Sequence, residues 1–277
     1  MTPMLVSSAP GLTARPERSD GGARDWAEIQ ERMLVPLYEA VYERLEVGPR
    51  TRLLGIGCGA GLALLLAAAR GAAVTGVDRD GRRLALARER LLPAPQWGAR
   101  RADYGQARLV LGGPEGVAVP GGAAFTVVTA FDPALPGEWL VPALRAAGGL
   151  AQRGAAVVLA GWGPPERCAT ARVLRVAERL AGLAEPVRVS VRDGLEDTAR
   201  MAGLRLDGSG RVACPFGYPD MDSAVRGLVS TGLFDAAVEA TDRPQVDKEL
   251  AEALHPYRRP DGTVRMENVF RYVLARA

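Results

Sequence analysis

Residues 53–61 read Leu-Leu-Gly-Ile-Gly-Cys-Gly-Ala-Gly, an apolar run that passes into glycines at every second position. Glycine has no Cβ, so such a turn can take left-handed backbone angles and let a ligand approach the main chain. Residues 62–69 that follow favour a helix, whose first amides have no partner within it. An apolar strand, an open turn and a helix start in that order belong to a parallel sheet with a ligand site at the carboxyl end of the strand. A second run, Ala73–Val77, ends at Asp78. A carboxylate in that position is placed to accept hydrogen bonds from both hydroxyls of a ribose. The turn and the acid together say more than either does alone, and the weaker reading, a plain glycine turn beside a surface aspartate, leaves their spacing unused.

The rest of the chain repeats the same alternation. Short β-rich runs at Arg52–Ile56, Ala73–Val77, Arg108–Leu111, Phe125–Ala130 and Ala155–Ala160 are separated by helical runs near Leu62–Ala69, Gly81–Leu91 and Trp139–Ala147, with a further helix at Glu166–Leu183. Parallel strands need such crossovers, so the expected fold is α/β, a doubly wound and mostly parallel sheet with helices on both faces. Ahead of it, apolar positions from Trp26 to Leu45 recur at helical spacing, and Gly48-Pro49 stops the run. Residues 1–24 mix Pro, Gly, Ser and charge without a period and read as a mobile arm. Beyond Pro186 the pattern changes: a short helix at Leu195–Ala202, β-compatible runs at Leu204–Leu206 and Gly210–Cys214, helices at Met221–Ser230 and Phe234–Leu254, and a last strand at Asn268–Leu274. Residues 25–277 are therefore expected to form one domain with a C-terminal helical insertion and an antiparallel C-terminal edge strand.

Composition removes several function classes. Hydrophobic residues make up 48% and charged residues 24%, as in ordinary globular proteins. A formal net charge of +3 is spread among acids, without the basic stripe of a nucleic-acid binder. Every Lys or Arg except Lys248 is an arginine, which reads as coding bias and weakens any single arginine as a sign of phosphate binding. No stretch of about 18 residues runs without polar interruption, so no membrane span is expected. Three widely spaced cysteines, Cys58, Cys168 and Cys214, fit neither a disulfide framework nor a CxxC metal site and point to a reducing, cytoplasmic setting. A single histidine, His255, leaves little for a His-based metal site.

The glycines by themselves also satisfy a dinucleotide pattern, Gly55-x-Gly57-x-x-Ala60, with Asp78 about where a ribose acid belongs. Over residues 26–163, however, the chain resembles the class I S-adenosylmethionine-dependent methyltransferases. Their first motif reads (D/E)-x-G-x-G-x-G, matched here by Gly55-Ile56-Gly57-Cys58-Gly59-Ala60-Gly61, and an acid ends strand two, matched by Asp78. The helix ahead of strand one, the Leu84–Arg88 run after Asp78, the strand-four segment Phe125-Thr126-Val127-Val128 and a final antiparallel strand resemble the family as well. Gly55 stands where the family has the acid of its first motif, Thr126 where strand four has another, and the loop at Gly112–Gly116 lacks the usual Asp, leaving Glu115 as the nearest acid.

The resemblance implies S-adenosylmethionine as cofactor, with Gly55, Gly57, Cys58, Gly59 and Gly61 around its methionine part, Asp78 on the ribose and Arg79 over the adenine edge. Ala130 and Phe131, just after strand four, are expected near the sulfonium. Tyr38 and Trp162 are the candidates for touching the substrate; Trp26 and Tyr42 read as core, and Phe216 and Tyr218 as a lid loop punctuated by Pro and Gly. Cys58 reads as a small filler, and His255 as a helix-end surface residue ahead of a general base. The expected activity is methyl transfer to a small organic acceptor, with no nucleic-acid or membrane partner and with acceptor and oligomeric state undetermined. The alternatives are a non-methylating S-adenosylmethionine-binding protein of the same fold and an NAD-dependent oxidoreductase.

Overall fold

The structure is a computed structural model that describes residues 20–92, 107–118, 124–135, 137–182 and 194–277. Four parallel crossovers build its centre. Strand β1 (Arg52–Ile56) runs through the glycine turn into α3 (Leu62–Ala69), then β2 (Ala73–Asp78) into α4 (Gly81–Leu91), and β3 (Arg108–Leu111) follows; β4 (Phe125–Ala130) leads into α5 (Gly137–Leu150) and β5 (Ala151–Trp162) into α6 (Ala169–Leu180). Ahead of them lie α1 (Asp20–Asp25), two irregular turns and α2 (Val35–Arg44); after them come α7 (Gly194–Met201), β6 (Arg205–Ala213), β7 (Phe216–Tyr218), α8 (Met221–Val229), α9 (Asp235–Ala240), α10 (Arg243–Leu254), β8 (Val264–Met266) and β9 (Val269–Arg276).

Seven strands form one sheet in the order β3-β2-β1-β4-β5-β9-β6. The first five are parallel, and β9 runs antiparallel between β5 and the outermost strand, β6. Each strand sends alternate residues to opposite faces. Leu53, Val74, Val127 and Val158 enter one core together with Leu37 and Leu64, while Leu54, Val77, Val128 and Leu159 enter the other with Leu144. Burial on both faces is why these strands read as continuous apolar runs, and each fully buried Leu or Val contributes about 1.5–3 kcal/mol relative to exposure. The strand order reverses direction between β1 and β4, where neighbouring crossovers leave on opposite faces and open a crevice above the carboxyl ends.

The α/β, mostly parallel fold is the expected one, but the antiparallel C-terminal strand, expected at the edge, is β9, held between β5 and the edge strand β6. Several other elements differ in detail. Residues 20–24 of the expected arm belong to α1, while residues 1–19 and the break expected at Pro186 lie outside the described residues. The helix expected over Trp26–Leu45 is divided into a π turn at Trp26–Gln30, a 3-10 turn at Glu31–Leu34 and α2. The helix expected over Phe234–Leu254 breaks because Asp242 caps α10, its carboxylate accepting from the Gln245 amide at 2.8 Å, with Pro244 in the first turn. The two β runs around 204–214 are one strand, β6, whose pairing with β9 shifts between Leu206 and Gly208. Phe216 and Tyr218 are not a lid loop: they form β7, pair with β8 and are buried, with Phe216 packed against Trp162 and Phe270. Among the described residues, no helix is long and apolar enough to cross a membrane.

Candidate functional site

The glycine turn leaves β1 with Gly57, Gly59 and Gly61 all left-handed, at φ of 63°, 57° and 82°. An L side chain in that region costs about 1–2 kcal/mol per residue, so three such positions in close succession fix the residue type. Packing adds to this, since a Cβ on Gly61 would lie 2.9 Å from the Ala87 Cβ of α4 and one on Gly57 would lie 2.9 Å from Leu135. The neighbouring Cys58 amide donates to the Val77 carbonyl at 3.1 Å, tying the turn to the end of β2.

Asp78 sits at that end and holds two pieces of backbone at once. Its Oδ2 accepts from the Gly59 amide at 2.7 Å and its Oδ1 from the Asp80 amide at 2.8 Å. Asp80 in turn caps α4, accepting from the Arg82 and Arg83 amides at 3.0 and 3.1 Å. Burial pushes the Asp78 carboxyl up from the ordinary carboxylate range, opposed by the Arg83 guanidinium and by the two amide donors. Each carboxylate oxygen has accepting capacity beyond the one bond it makes here, so a diol that reached Asp78 would find a pre-oriented partner.

Three side chains lie over this turn. Trp26 is buried, and its indole nitrogen is the nearest atom to where a Cβ of Gly59 would stand, with a Glu31 carboxylate oxygen next to it. Glu31 is 2% exposed; it accepts from the Leu62 amide at 3.3 Å, the first of α3, and pairs with Arg90. Burial raises its carboxyl, and Arg90 opposes the rise. Arg83, wholly buried, stacks on the Trp26 ring with its guanidinium carbon 4.1 Å from the centroid. It also donates to the Ser230 carbonyl at 2.7 Å and lies 3.5 Å from Asp132 and 3.7 Å from Asp80. What is left of the crevice is a cavity of about 20 Å³ against Trp26, Glu31, Tyr38, Gly57, Gly59 and Phe131.

Most of the residues singled out in the sequence converge on this cavity. Gly55, Gly57, Cys58, Gly59, Phe131 and Tyr38 all line it, with the Tyr38 and Phe131 rings packed 5.0 Å apart. Gly61 caps α3, and Asp78 lies behind the turn, joined to it through Gly59. The space beside Gly55 that an acid would need is filled by Leu64, whose Cδ2 would lie 2.9 Å from a Cβ there. Arg79 does not reach the cavity: its guanidinium stacks on Trp139 of α5 at 5.1 Å. Ala130 is buried in the core beneath the opposite face of the sheet. Thr126 pairs with Arg52 at the amino ends of β4 and β1, away from the crevice, and Glu115 is exposed. Glu31, Arg83 and Asp132, all buried, and the half-buried Arg90 were not singled out in the sequence; charged side chains in amphipathic helices and loops ordinarily face water, and nothing local marks these as different.

Trp162 lines a second and larger cavity, of about 640 Å³, above the carboxyl ends of β4 and β5. Leu135, Leu140, Gly161, Leu195 and Met201 give it an apolar wall, and Asp132 and Arg271 add charge. Asp132 borders both cavities, and Leu135 packs on Gly57 from this side. Arg271 is paired with Glu196 of α7. His255 lies elsewhere, exposed in a surface groove with Lys248 and Arg258. Among the described residues, no group of three or more His, Cys, Asp or Glu side chains is placed to hold a metal ion.

Cys58, Cys168 and Cys214 are free and buried, and burial pushes each thiol up, Cys214 to about 12. The thiolate is the reactive form. Ellman's reagent at pH 8 is therefore expected to leave the folded protein unlabelled and to titrate all three thiols once denaturant is added; prompt labelling of the native chain would contradict this burial.

No protein-family model matches the chain, and no curated protein matches it. Solved structures do. A cyclopropane synthase from Mycobacterium tuberculosis superposes with a TM-score of 0.55 at 12% identity, over 93% of this chain and 94% of its own. An S-adenosylmethionine-dependent methyltransferase from Geobacter sulfurreducens, solved with S-adenosyl-L-homocysteine, gives 0.51 at 16% identity, over 92% and 98%. At such identities the likeness is one of architecture, and together with the strand order and the glycine turn it shows that the chain has the fold of the class I S-adenosylmethionine-dependent methyltransferases.

Proposed function

We propose that this chain binds S-adenosylmethionine at the glycine turn and transfers its methyl group to a small organic acceptor held in the neighbouring 640 Å³ cavity. One observation carries the reading: three left-handed glycines leave β1 while Asp78, ending β2, grips the Gly59 amide, so a bare backbone bend and a carboxylate stand together at the carboxyl ends of adjacent parallel strands. The cofactor would supply an electrophilic methyl on a sulfonium. The protein's part is positional. Gly57 and Gly59 leave room against the backbone for the amino-acid portion, and Asp78 has accepting capacity for ribose hydroxyls. Tyr38 and Phe131 form an apolar wall, and Asp132 stands between the two cavities. Leu135, Leu140 and Leu195 would exclude water from an acceptor's apolar body.

The donor and acceptor set fits the cofactor, but a cavity of about 20 Å³ holds little more than one water. Binding therefore requires Trp26 and Glu31, which lie on the turn, to move. A second reading, a protein of the same fold that does not methylate, is favoured by the same fact: a buried arginine spans from α4 to Asp132 across the crevice.

Calorimetric titration with S-adenosylhomocysteine, against NADH as control, tests the assignment. Micromolar binding of the thioether nucleoside without NADH binding is expected, and tight NADH binding alone would overturn it. Filling the larger cavity with Leu140→Trp should cut kcat/KM for methyl transfer by roughly a hundredfold or more while leaving S-adenosylhomocysteine affinity unchanged. A parent chain and a Leu140→Trp variant that both bind the nucleoside and methylate nothing would favour the second reading.

A further inference from the structure

We propose that residues 26–34 are a self-liganded lid, in which Trp26 and Glu31 take places that a bound nucleoside amino acid would take, so that the site admits its ligand only when this segment swings off the turn. The inference rests on the cofactor reading above for the identity of the ligand, though not for the motion. Glu31 is a carboxylate laid on the first amide of α3, directly beyond the glycine turn, where an anion is favoured by the unpaired amides and by the helix dipole. Trp26 is an aromatic plane against Gly59, backed by the Arg83 guanidinium. An aromatic ring and a carboxylate seated on a nucleoside-binding turn imitate the two ends of an amino-acid-linked nucleoside.

The closure is strained in ways that favour opening. The Trp26 Nε1 hydrogen is buried without a hydrogen-bond acceptor, so it is desolvated with no such bond in return. The segment winds as a π turn through Gln30 and a 3-10 turn through Leu34, a change of pitch that regular helices avoid. A hinge lies directly after it. Pro36 in the first turn of α2 has no N–H, so one backbone bond between α2 and the turn before it is missing, while the Val35 amide still donates to the Arg32 carbonyl. Holding the lid down are Arg90, which donates to the Ala27 carbonyl at 2.7 Å and the Ala60 carbonyl at 3.0 Å as well as pairing with Glu31, and Tyr218, whose hydroxyl donates to the Gln30 Oε1 at 2.9 Å. These latches come from α4 and β7, so the segment can leave without breaking the seven-stranded sheet.

Two measurements on the full chain test this. Hydrogen exchange should show the amides of 26–34 opening locally, ahead of those of β1 and β4, and faster still in Glu31→Gln, which keeps the size of the side chain while weakening the Arg90 latch. Exchange of 26–34 only together with the sheet would overturn the lid whatever the ligand. In Trp26→Ala the open form is more populated, and apparent affinity scales with that population, so S-adenosylhomocysteine should bind roughly tenfold more tightly than to the parent. If the parent binds and Trp26→Ala binds no more tightly, the lid is wrong and the cofactor site stands. If no variant binds while 26–34 still opens locally, the lid stands and the cofactor assignment falls.

Discussion

Replacing Arg83 by alanine is expected to lower stability by about 3–5 kcal/mol, because it removes one partner of a buried charge cluster and leaves the other charges in place. The guanidinium is fully buried, faces Asp80 and Asp132, donates to the Ser230 carbonyl and stacks on Trp26. For a domain of this size each kcal/mol corresponds to about 2–4 °C, so the melting temperature should fall by roughly 10 °C. Arg83→Met keeps much of the stem volume against Trp26 and should lose less. Urea titration of both variants decides the matter. A change below about 1 kcal/mol in the alanine variant, as for an ordinary surface substitution, would mean that the cluster is not buried in solution.

The second large effect is expected at Asp78. Asp78→Ala strands two buried amides, Gly59 and Asp80, and each costs about 1–3 kcal/mol when left without an acceptor. A loss of about 3 kcal/mol in stability and of all S-adenosylhomocysteine binding is therefore expected. The pH dependence has a definite sign. Burial raises the Asp78 pKa above its ordinary value of 3.8, so the folded chain holds this proton more tightly than the unfolded one. Stability from this group is then greatest at low pH and is lost as pH rises from 3.8 through the raised value. The gap between parent and Asp78→Ala should narrow upward through that window. A gap that widened with pH would show that hydrogen bonding to the charged form outweighs desolvation. Nucleoside binding that survived the substitution would remove Asp78 from the site.

Both residues flank one turn, yet only Asp78 was legible in the sequence. Its legibility came from position, since an acid that directly follows an apolar run must sit at a strand end. Arg83 lies in a helix rich in arginine, Arg82, Arg83, Arg88 and Arg90, where nothing local separates the one buried member, Arg83, from the others. Glu31 is hidden in the same way, because its burial depends on where α3 and α4 lie. Trp26 was visible as an aromatic on an amphipathic face, and its assignment to core packing is half of the answer: it is buried, against the glycine turn. Arg79 shows how a neighbour in the chain can face elsewhere. Adjacent to Asp78 in the chain, it packs on Trp139 of α5, an element far downstream whose proximity no local pattern encodes.

What the amino-acid sequence determined by itself is everything that follows from period and backbone freedom. Apolar runs with helical crossovers dictate a doubly wound parallel sheet, left-handed glycines dictate the open turn, and the strand-ending acid is placed to hold it. These depend on interactions a few residues long or on burial of whole faces, which composition and spacing record. The tertiary structure alone decided which charges are buried together, that the final strand slots between β5 and β6, and that the segment ahead of α2 lies on the glycine turn. Those outcomes are sums of many weak contacts between elements distant in the chain. A guanidinium is buried only because Asp80, Asp132, Ser230 and Trp26 converge on it from separate segments.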